Sequence, residues 1–277
     1  QRMFSIARKL RRENKTVGLV PTMGALHGGH LSLVKEARAM CDVVIVSIFV
    51  NLAQFNDKKD LEKYPRDLTN DAALLANYQV DYIFAPDEQE IYPEGFSTYV
   101  YVEGLTESLE GASRPGHFRG VATVVTILLN TVRPDFAFFG QKDAQQTVIV
   151  KRLTKDLGFE TEIVVLPIVR EESGLAMSSR NARLTDEERQ KASIIYKALR
   201  EAKIAARNGE RNAANLAEIA HRTLVAEPLA QVEYVALVDA ETLEPVEKIE
   251  DRAVLLAIAA RFGNVRLIDN TILNRKQ

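Results

Sequence analysis

The sequence has few residues that could cross-link the fold covalently or anchor it in a membrane. Its 277 residues include no tryptophan and one cysteine, Cys41. A single thiol cannot form an internal disulfide, which suits a reducing cytoplasm. Because Cys41 stands in an apolar stretch, we expect it to be buried and inert. No apolar run is long enough to cross a bilayer, and the first residues have no apolar signal region. We therefore expect a cytoplasmic protein without a membrane partner.

An excess of positive charge is also absent. The 36 Lys and Arg residues are balanced by 38 Asp and Glu residues, which gives a formal net charge of −2. No overall basic field is available to attract nucleic acid, so we expect no nucleic-acid partner. Hydrophobic residues make up 46% of the chain, enough for a sizeable core in one large domain or two modest ones.

Short apolar runs alternate with amphipathic stretches over the first two thirds of the chain. Such alternation predicts an α/β fold, a doubly wound, Rossmann-like parallel sheet with helices on both faces. The runs predicted as strands cover residues 17–20, 43–50, 82–85, 135–139 and 163–169. The stretches predicted as helices cover residues 30–40, 68–78, 121–132 and 144–157.

The pattern changes after residue 180. A long charged helix is predicted over 185–207, with Thr185 as its N-cap, and a second helix over 213–226. Strand-like runs follow at residues 232–238, 253–260 and 265–268. We therefore predict a Rossmann-like catalytic domain over residues 1–176 and a smaller C-terminal α+β lid domain over residues 177–277.

The segment PTMGALHGGH, residues 21–30, follows the first strand and opens the first helix. Ligands of open parallel sheets bind beyond the carboxyl ends of strands, and a glycine-rich helix start attracts phosphate. His27 and His30 are three residues apart, so at a helix start both can face one side and donate to a phosphate. Two polar helix-cap residues are an alternative. A zinc site is another, although no compact set of further His or Cys ligands accompanies the pair.

A second polar segment, GQKDAQQ at residues 140–146, follows the strand predicted at 135–139. Lys142 can neutralise a phosphate, and Asp143 can accept from ribose hydroxyls or help to hold Mg²⁺. Gln146 lies one turn further along. A solvated loop and helix start is the alternative interpretation.

Three other segments carry polar groups suited to ligands. The run Met-Ser-Ser-Arg at residues 177–180 suits a polyphosphate, because Arg180 is always charged and binds in a fork. The segment FVNLAQF at residues 49–55 offers amides beside apolar groups, as a small polar acid needs. Residues 111–120 are rich in Gly and Arg and are either a mobile cover or a loop with solvated cations. For residues 177–180 an ordinary solvated loop is the alternative interpretation, and for residues 49–55 it is a buried turn.

Taken together, these segments resemble the pantothenate synthetase family, the pantoate–β-alanine ligases of the HIGH-type nucleotidyl-transferring superfamily. The resemblance runs over residues 17–270. It rests on PTMGALHGGH, SIFVN followed by QF, YPR, EGASRPGHFRGV, FFGQKDAQQ and GLAMSSRN. The two histidines resemble the HIGH element, and the Met-Ser-Ser-Arg run resembles the KMSKS loop.

The resemblance implies a two-step reaction. ATP and pantoate, with Mg²⁺, give pantoyl adenylate and pyrophosphate, and β-alanine then attacks the adenylate to give pantothenate and AMP. The protein is implied to be a cytoplasmic homodimer whose partners are these small molecules. Mg²⁺ is implied to be held mainly by the ATP phosphates, with no metal ligand assigned to the protein.

The resemblance also implies roles for individual residues. His30 is the implied proton donor, and His27 and Lys142 complete the catalytic set. Gln54 and Gln146 are implied to hold pantoate, with Gln54 also near β-alanine. The residues implied to contact ATP are Met23, Gly24, Ala25, Leu26, His27, Gly28, Gly29, His30, Gly140, Gln141, Lys142, Asp143, Val169, Met177, Ser178, Ser179 and Arg180.

The chain departs from the usual family pattern at four positions. Leu52 stands where proline is usual, Gly28 where an acidic or bulkier residue is common, Gln141 where glutamate is common and Asp67 where threonine is common. These changes affect the geometry of local loops and leave every proposed contact in place. Two competing functions are a nucleotidyltransferase that couples CTP or ATP to a phosphorylated alcohol, and a nucleotide-binding sensor without turnover.

Overall fold

The chain folds into two compact units. A computed structural model describes residues 2–56, 61–62 and 64–274. The first unit comprises Gln1–Gly140 and Ile149–Pro167, and the second comprises Gln141–Val148 and Ile168–Gln277. The domain boundary predicted between residues 176 and 177 stays a prediction.

The first unit contains a five-stranded parallel sheet in the order β3-β2-β1-β4-β5. Its strands are β1 (Val17–Thr22), β2 (Val43–Ile48), β3 (Tyr82–Phe84), β4 (Phe136–Gly140) and β5 (Glu162–Leu166). Strand order reverses between β1 and β4, which is the place where doubly wound sheets bind ligands. The predicted parallel α/β sheet is confirmed, and β5 ends earlier than predicted because Pro167 has no N–H for the ladder.

Burial on both faces explains why the strands read as continuous apolar runs. Leu19 of β1, Ile45 of β2 and Phe138 of β4 are all fully buried. The helices of this part of the chain are α1 (Arg2–Arg12), α2 (Gly28–Met40), α3 (Leu68–Ala76), α4 (Glu88–Ile91), α5 (Glu110–Ser113), α6 (His117–Val132) and α7 (Ala144–Asp156). No helix of the described residues is long and apolar enough to span a bilayer.

The single cysteine is buried, as its apolar neighbours predicted. Burial and then the nearby charge of Asp135 raise the pKa of the Cys41 thiol to about 11, with Asp42 adding to the rise and Arg38 opposing it. The thiol therefore stays protonated at neutral pH, and protonated thiols are poor nucleophiles.

The second unit ends in a three-stranded antiparallel sheet in the order β6-β7-β8. Its elements are α8 (Asp186–Ala192), α9 (Ile194–Arg207), α10 (Ala213–Val225), β6 (Ala230–Asp239), β7 (Val254–Phe262) and β8 (Val265–Leu273). Fully buried Leu216, Leu256 and Phe262 form part of its core. The predicted smaller α+β arrangement of helices and strands is confirmed.

The prediction of one helix over residues 185–207 was wrong in its continuity. Thr185 does cap the first helix, because its hydroxyl accepts from the Glu188 N–H at 3.2 Å. That helix ends at Ala192, and α9 begins at Ile194, with Ser193 between them. The Ser193 hydroxyl donates to the Gln190 carbonyl at 2.7 Å, a local bond of the kind that competes with helix continuation.

A substitution at Gly120 tests the packing of α6 on the turn around residue 53. A Cβ at this position would lie 2.4 Å from the Ala53 carbonyl oxygen and 2.7 Å from the Gln54 nitrogen. Because both atoms belong to backbone, Gly120→Ala should lower the free energy of unfolding by about 1–3 kcal/mol, measured by urea denaturation. The exposed control Asn130→Ala on the same helix should stay within about 0.5 kcal/mol of wild type. Equal stability of the two variants would contradict this packing.

Candidate active site

The loop that follows β1 has an unusual backbone. Thr22 donates its hydroxyl proton to the Ser47 carbonyl at 2.8 Å and accepts from the Gly24 N–H at 3.2 Å. Gly24 and Ala25 then adopt φ values of 80° and 50°, both in the left-handed region. Glycine tolerates this conformation, whereas for alanine it costs roughly 1–2 kcal/mol. The surrounding structure must therefore hold Ala25 in place.

Asp71 of α3 supplies that restraint. Its carboxylate, 1% exposed, accepts from the Ala25 N–H at 3.0 Å and from the Leu26 N–H at 2.8 Å. A Cβ at Gly24 would come within 2.9 Å of the same carboxylate, so only glycine fits there without displacement. Since these two N–H groups are satisfied internally, anion binding by this loop depends on other donors. Asp71 was not predicted from the sequence. A signal was available, because Asp71 lies one helical turn before Leu75 and therefore on the buried side of α3.

The two histidines of the predicted phosphate loop lie together at the start of α2. Their ring centroids are 4.1 Å apart with an interplanar angle of 39°, so the prediction that they share one side is confirmed. His27 caps the helix, and its Nδ1 accepts from the Gly29 N–H at 3.1 Å. A neutral imidazole that accepts at Nδ1 carries its proton on Nε2, which makes Nε2 a hydrogen-bond donor. The start of a helix also favours bound anions.

The Gln54 side chain lies against the same loop. Its Nε2 donates to Met23 Sδ at 3.0 Å, and its Oε1 accepts from Asn51 Nδ2 at 2.9 Å. Asn51 Nδ2 also donates to the Gly120 carbonyl at 3.0 Å, as expected for the buried-turn alternative. This pairing sets the orientation of the Gln54 amide and brings two predicted ligand residues, Met23 and Gln54, into contact.

A buried tyrosine completes this polar chain. Tyr92 donates its hydroxyl proton to Asn51 Oδ1 at 2.6 Å. Burial and then the charge of Tyr99 raise the pKa of Tyr92 to about 12, against the opposing hydrogen bond with Asn51. Tyr92 therefore remains a donor at neutral pH. Sequence reasoning did not identify Tyr92, because a lone tyrosine 41 residues from its partner carries no local signal.

The Gly- and Arg-rich segment at residues 111–120 is built into the Gln54 turn at its C-terminal end. His117 begins α6, and its Nδ1 lies 2.8 Å from the Gln54 carbonyl oxygen. Because a carbonyl only accepts, this ring nitrogen carries the proton, and Nε2 accepts from Arg114 at 3.2 Å. Of the two predicted alternatives, the loop with solvated cations does not describe these two residues, because their side chains form a hydrogen-bonded support for the turn.

In the second unit, Lys142 lies in a short turn that begins that unit. Its Nζ is 3.6 Å from Asp143 Oδ1, and the two side chains are 21% and 49% exposed. The turn is a 3₁₀ helix over Gln141–Asp143 whose backbone contacts Asn270 of β8. Gln146 follows in α7 and is half-buried.

The Met-Ser-Ser-Arg segment adjoins a tight backbone turn. The Val169 carbonyl accepts from the Met177 N–H at 3.0 Å, and Arg170 and Ala176 form a bridge. Ser178 then caps the next 3₁₀ helix by accepting from the Arg180 N–H at 3.2 Å. Two of the predicted ATP-contacting positions, Val169 and Met177, are therefore hydrogen-bonded to each other.

Asn181 and Glu171 hold the end of this segment. Buried Asn181 donates to the Ala176 carbonyl at 3.0 Å and to Glu171 Oε1 at 2.7 Å. Burial raises the pKa of Glu171, but its hydrogen bonds from Arg189 and Asn181 prevail, so its pKa is lower than usual. Glu171 is therefore ionised at neutral pH and accepts from both partners. Neither Asn181 nor Glu171 was predicted from sequence.

The predicted ligand residues divide between the two units, and each unit brings part of the set together. The first unit holds Met23, Gly24, Ala25, Leu26, His27, Gly28, Gly29, His30, Gln54 and Gly140. The second holds Gln141, Lys142, Asp143, Gln146, Val169, Met177, Ser178, Ser179 and Arg180. Strand β8 contacts both the 141–143 turn and the 179–183 turn. The described residues contain no group of three or more His, Cys, Asp or Glu side chains able to hold a metal.

Comparison with known families and sequences gives one consistent result. The family model for pantoate–β-alanine ligase matches residues 1–272. A pantothenate synthetase from Heliobacterium modesticaldum is 51% identical over 271 residues, covering 98% of this chain and 96% of that relative. A pantothenate synthetase from Thermotoga petrophila is 53% identical over 273 residues, covering 99% and 97%.

Solved structures agree with the sequence comparison. A pantothenate synthetase structure from Thermus thermophilus has a TM-score of 0.90, 47% identity and 96% coverage of both chains. A pantoate–β-alanine ligase structure from Francisella tularensis, complexed with β,γ-ATP and β-alanine, has a TM-score of 0.80 and 38% identity. It covers 99% of this chain and 95% of that one.

The anchoring of the loop after β1 by Asp71 can be tested by mutation. Asp71→Ala leaves the buried N–H of Leu26 and the partly buried N–H of Ala25 without this acceptor, and an unpaired buried group costs about 1–3 kcal/mol. We expect the free energy of unfolding, measured by chemical denaturation, to fall by at least this amount. The control Thr69→Ala changes an exposed residue of the same helix and should be near neutral. Similar values for the two variants would show that Asp71 does not restrain the loop.

Proposed function

The chain belongs to the pantoate–β-alanine ligase family, and we propose that it works through a pantoyl-adenylate intermediate. It condenses pantoate with β-alanine using ATP, and the products are pantothenate, AMP and pyrophosphate. The observation that carries the proposed mechanism is the pair of imidazole rings, 4.1 Å apart, at the start of α2. Such a pair suits a reaction whose main demand is stabilisation of phosphate charge.

In the first step, a carboxylate oxygen of pantoate attacks the α-phosphorus of ATP. A new oxygen–phosphorus bond forms, the bond from the α-phosphorus to the bridging oxygen breaks, and pyrophosphate leaves with the electron pair. Negative charge increases on the α-phosphate oxygens and then on pyrophosphate. His27, with its proton on Nε2, donates a hydrogen bond to these oxygens, and His30 donates a hydrogen bond or a proton to the leaving group.

The charged groups of the second unit act on the same phosphates in this proposal. Lys142 offsets phosphate charge, and Ser178, Ser179 and Arg180 supply two hydroxyls and a guanidinium suited to a polyphosphate. The backbone at Val169 contacts adenine. These contacts need no covalent enzyme intermediate, because positioning and charge stabilisation lower the barrier of adenylyl transfer.

The remaining backbone contacts to ATP come from the loops that carry these side chains. In the first unit they are Met23, Gly24, Ala25, Leu26, Gly28, Gly29 and Gly140, and in the second they are Gln141, Asp143 and Met177. Because the N–H groups of Ala25 and Leu26 already donate to Asp71, their contribution is through carbonyl and apolar contacts.

Gln54 and Gln146 bind pantoate in the same proposal. Amide groups suit its hydroxyl and carboxylate oxygens, and Met23, in contact with Gln54, provides an apolar surface for its methyl groups. In the second step the amine of β-alanine, held near Gln54, attacks the carbonyl carbon of the adenylate. A carbon–nitrogen bond forms, the carbon–oxygen bond breaks with its electron pair going to AMP, and the nitrogen loses a proton to solvent.

We propose that Mg²⁺ binds with ATP, mainly through its phosphates. Mg²⁺ usually takes one or two carboxylates together with substrate phosphates and water. The half-exposed carboxylate of Asp143, 3.6 Å from Lys142 Nζ, fits a single such ligand. The ion would neutralise phosphate charge there, and Lys142 would keep the triphosphate in register.

The assembly and location of the protein are also proposals. A homodimer in the cytoplasm fits the family and the single buried, protonated cysteine. The exposed side chains of Tyr99 and Tyr101, 43% and 54% accessible, give the first unit an aromatic surface suited to self-association.

Exchange of labelled pyrophosphate into ATP tests this function. If an adenylate forms first, pantoate alone supports exchange without β-alanine. His30→Ala and Lys142→Ala should each slow exchange by about 10²–10³-fold, the usual cost of removing one transition-state donor. The matched controls are His221→Ala and Lys155→Ala, both exposed and outside the proposed site.

Several outcomes would contradict the proposal. Exchange by the wild-type protein that strictly required β-alanine would exclude a free-standing adenylation step. Folded His30→Ala or Lys142→Ala protein with wild-type exchange would remove that residue from the catalytic set. CTP-dependent reaction with a phosphorylated alcohol, or no turnover at all, would favour the competing transferase or sensor.

A further inference from the structure

Two consecutive buried residues of β8, Asp269 and Asn270, bind two different loops of the second unit. They are only 3% and 4% exposed, although both are polar. Successive side chains of a strand point to opposite faces of the sheet, so neighbouring residues can reach different partners. Asp269 binds Arg170, and Asn270 binds the turn that contains Lys142. Buried polar side chains of this kind are costly unless they are fully hydrogen-bonded.

Asn270 uses both of its N–H donors and its carbonyl on the turn. Nδ2 donates to the carbonyl oxygens of Gln141 and Lys142, each at 3.0 Å. Oδ1 accepts from Gln141 Nε2 at 3.1 Å. The two carbonyls precede and follow the Cα of Lys142, so the amide restrains the backbone on both sides of that residue. These hydrogen bonds therefore fix the position of the Lys142 Cα, from which the side chain extends.

Asp269 binds the other loop, through Arg170. Its carboxylate accepts two hydrogen bonds from Arg170, at 2.6 and 3.0 Å. Burial raises the pKa of Asp269, while Arg170 and, less strongly, the charge of Lys142 oppose the rise. Arg170 also stacks on Tyr196, with the guanidinium carbon 4.0 Å from the ring centroid. The ion pair of Lys142 is with Asp143, at 3.6 Å, whereas both carboxylate oxygens of Asp269 accept from Arg170.

From this geometry we infer that Asn270 is a positioning residue for adenylation, acting through Lys142. The inference rests on the proposed function, in which Lys142 offsets phosphate charge. Gln141 contributes to this positioning, because its side-chain amide donates a hydrogen bond to Asn270 Oδ1. An ionised glutamate at this position could not donate that hydrogen bond. The departure of this chain from the usual glutamate therefore has a structural partner in β8.

The variant Asn270→Ala removes all three hydrogen bonds and allows the Lys142 backbone to shift. A misplacement of about 1 Å costs up to roughly 10²-fold in rate, so single-turnover adenylate formation should slow by about 10- to 100-fold. The KM for pantoate should not change, because the side-chain hydrogen bonds of Asn270 go to Gln141 and Lys142 and to neither proposed pantoate residue. Thr271→Ala, the next residue of β8, is half-buried and serves as the matched control with wild-type rates.

A double-mutant cycle separates positioning from general damage to the fold. In a Lys142→Ala background, Asn270→Ala should slow adenylation by about twofold at most, since the group through which it acts is gone. The same 10- to 100-fold loss in both backgrounds, or no loss in the wild-type background, would overturn the inference. If Asn270→Ala does not fold, Asn270→Asp keeps the side-chain shape, lacks both N–H donors and takes its place in the cycle.

The wild-type protein provides the remaining control. Failure of wild-type protein to form pantoyl adenylate would refute the proposed function itself. Adenylate formation by wild type, combined with equal rates for Asn270→Ala, would refute only the role of Asn270.

Discussion

The carboxylate of Asp71 accepts hydrogen bonds from two consecutive backbone N–H groups, at Ala25 and Leu26, and so holds a loop whose backbone is left-handed at Ala25. That loop determines where α2 begins, and the first turn of α2 carries both imidazoles. If the loop changed conformation, His27 could not cap the helix through Nδ1. Its Nε2–H bond would then no longer point in a fixed direction. The placement of His30 beside it follows from the same helix start. A buried anion therefore controls the geometry of groups proposed to bind a second anion, the phosphate of ATP.

The second unit holds its loop with the opposite kind of hydrogen bond. There, a buried amide donates to backbone carbonyls around Lys142, whereas Asp71 accepts from backbone N–H groups. Both anchors satisfy backbone groups that would be costly to leave unpaired in an interior. Formation of an acyl adenylate asks little covalent chemistry of the protein and depends on donors held in advance. Anchoring by buried side chains is the physical means by which these loops can hold such donors in place.

The sheet and the position of the glycine-rich loop could be predicted from sequence, because both depend on short-range patterns of apolar residues and glycine. Local competition was harder to recognise: Ser193 interrupts a stretch whose periodicity is helical throughout. The anchors were missed for a different reason. Asp71 and its partner Ala25 are 46 residues apart, and Asn270 and Gln141 are 129 apart, so no local pattern connects them. Only the folded backbone brings these pairs within hydrogen-bond distance.

Transfer of oxygen from pantoate to AMP distinguishes attack on the α-phosphorus from every route without an adenylate. Pantoate labelled with ¹⁸O in its carboxylate would be converted in the presence of ATP and β-alanine, and the products analysed by mass spectrometry. Attack on the α-phosphorus leaves the bridging carboxylate oxygen on AMP when β-alanine displaces it. We expect one ¹⁸O atom in each AMP and none in pyrophosphate. Label in pyrophosphate, or unlabelled AMP with both ¹⁸O atoms retained elsewhere, would contradict this expectation.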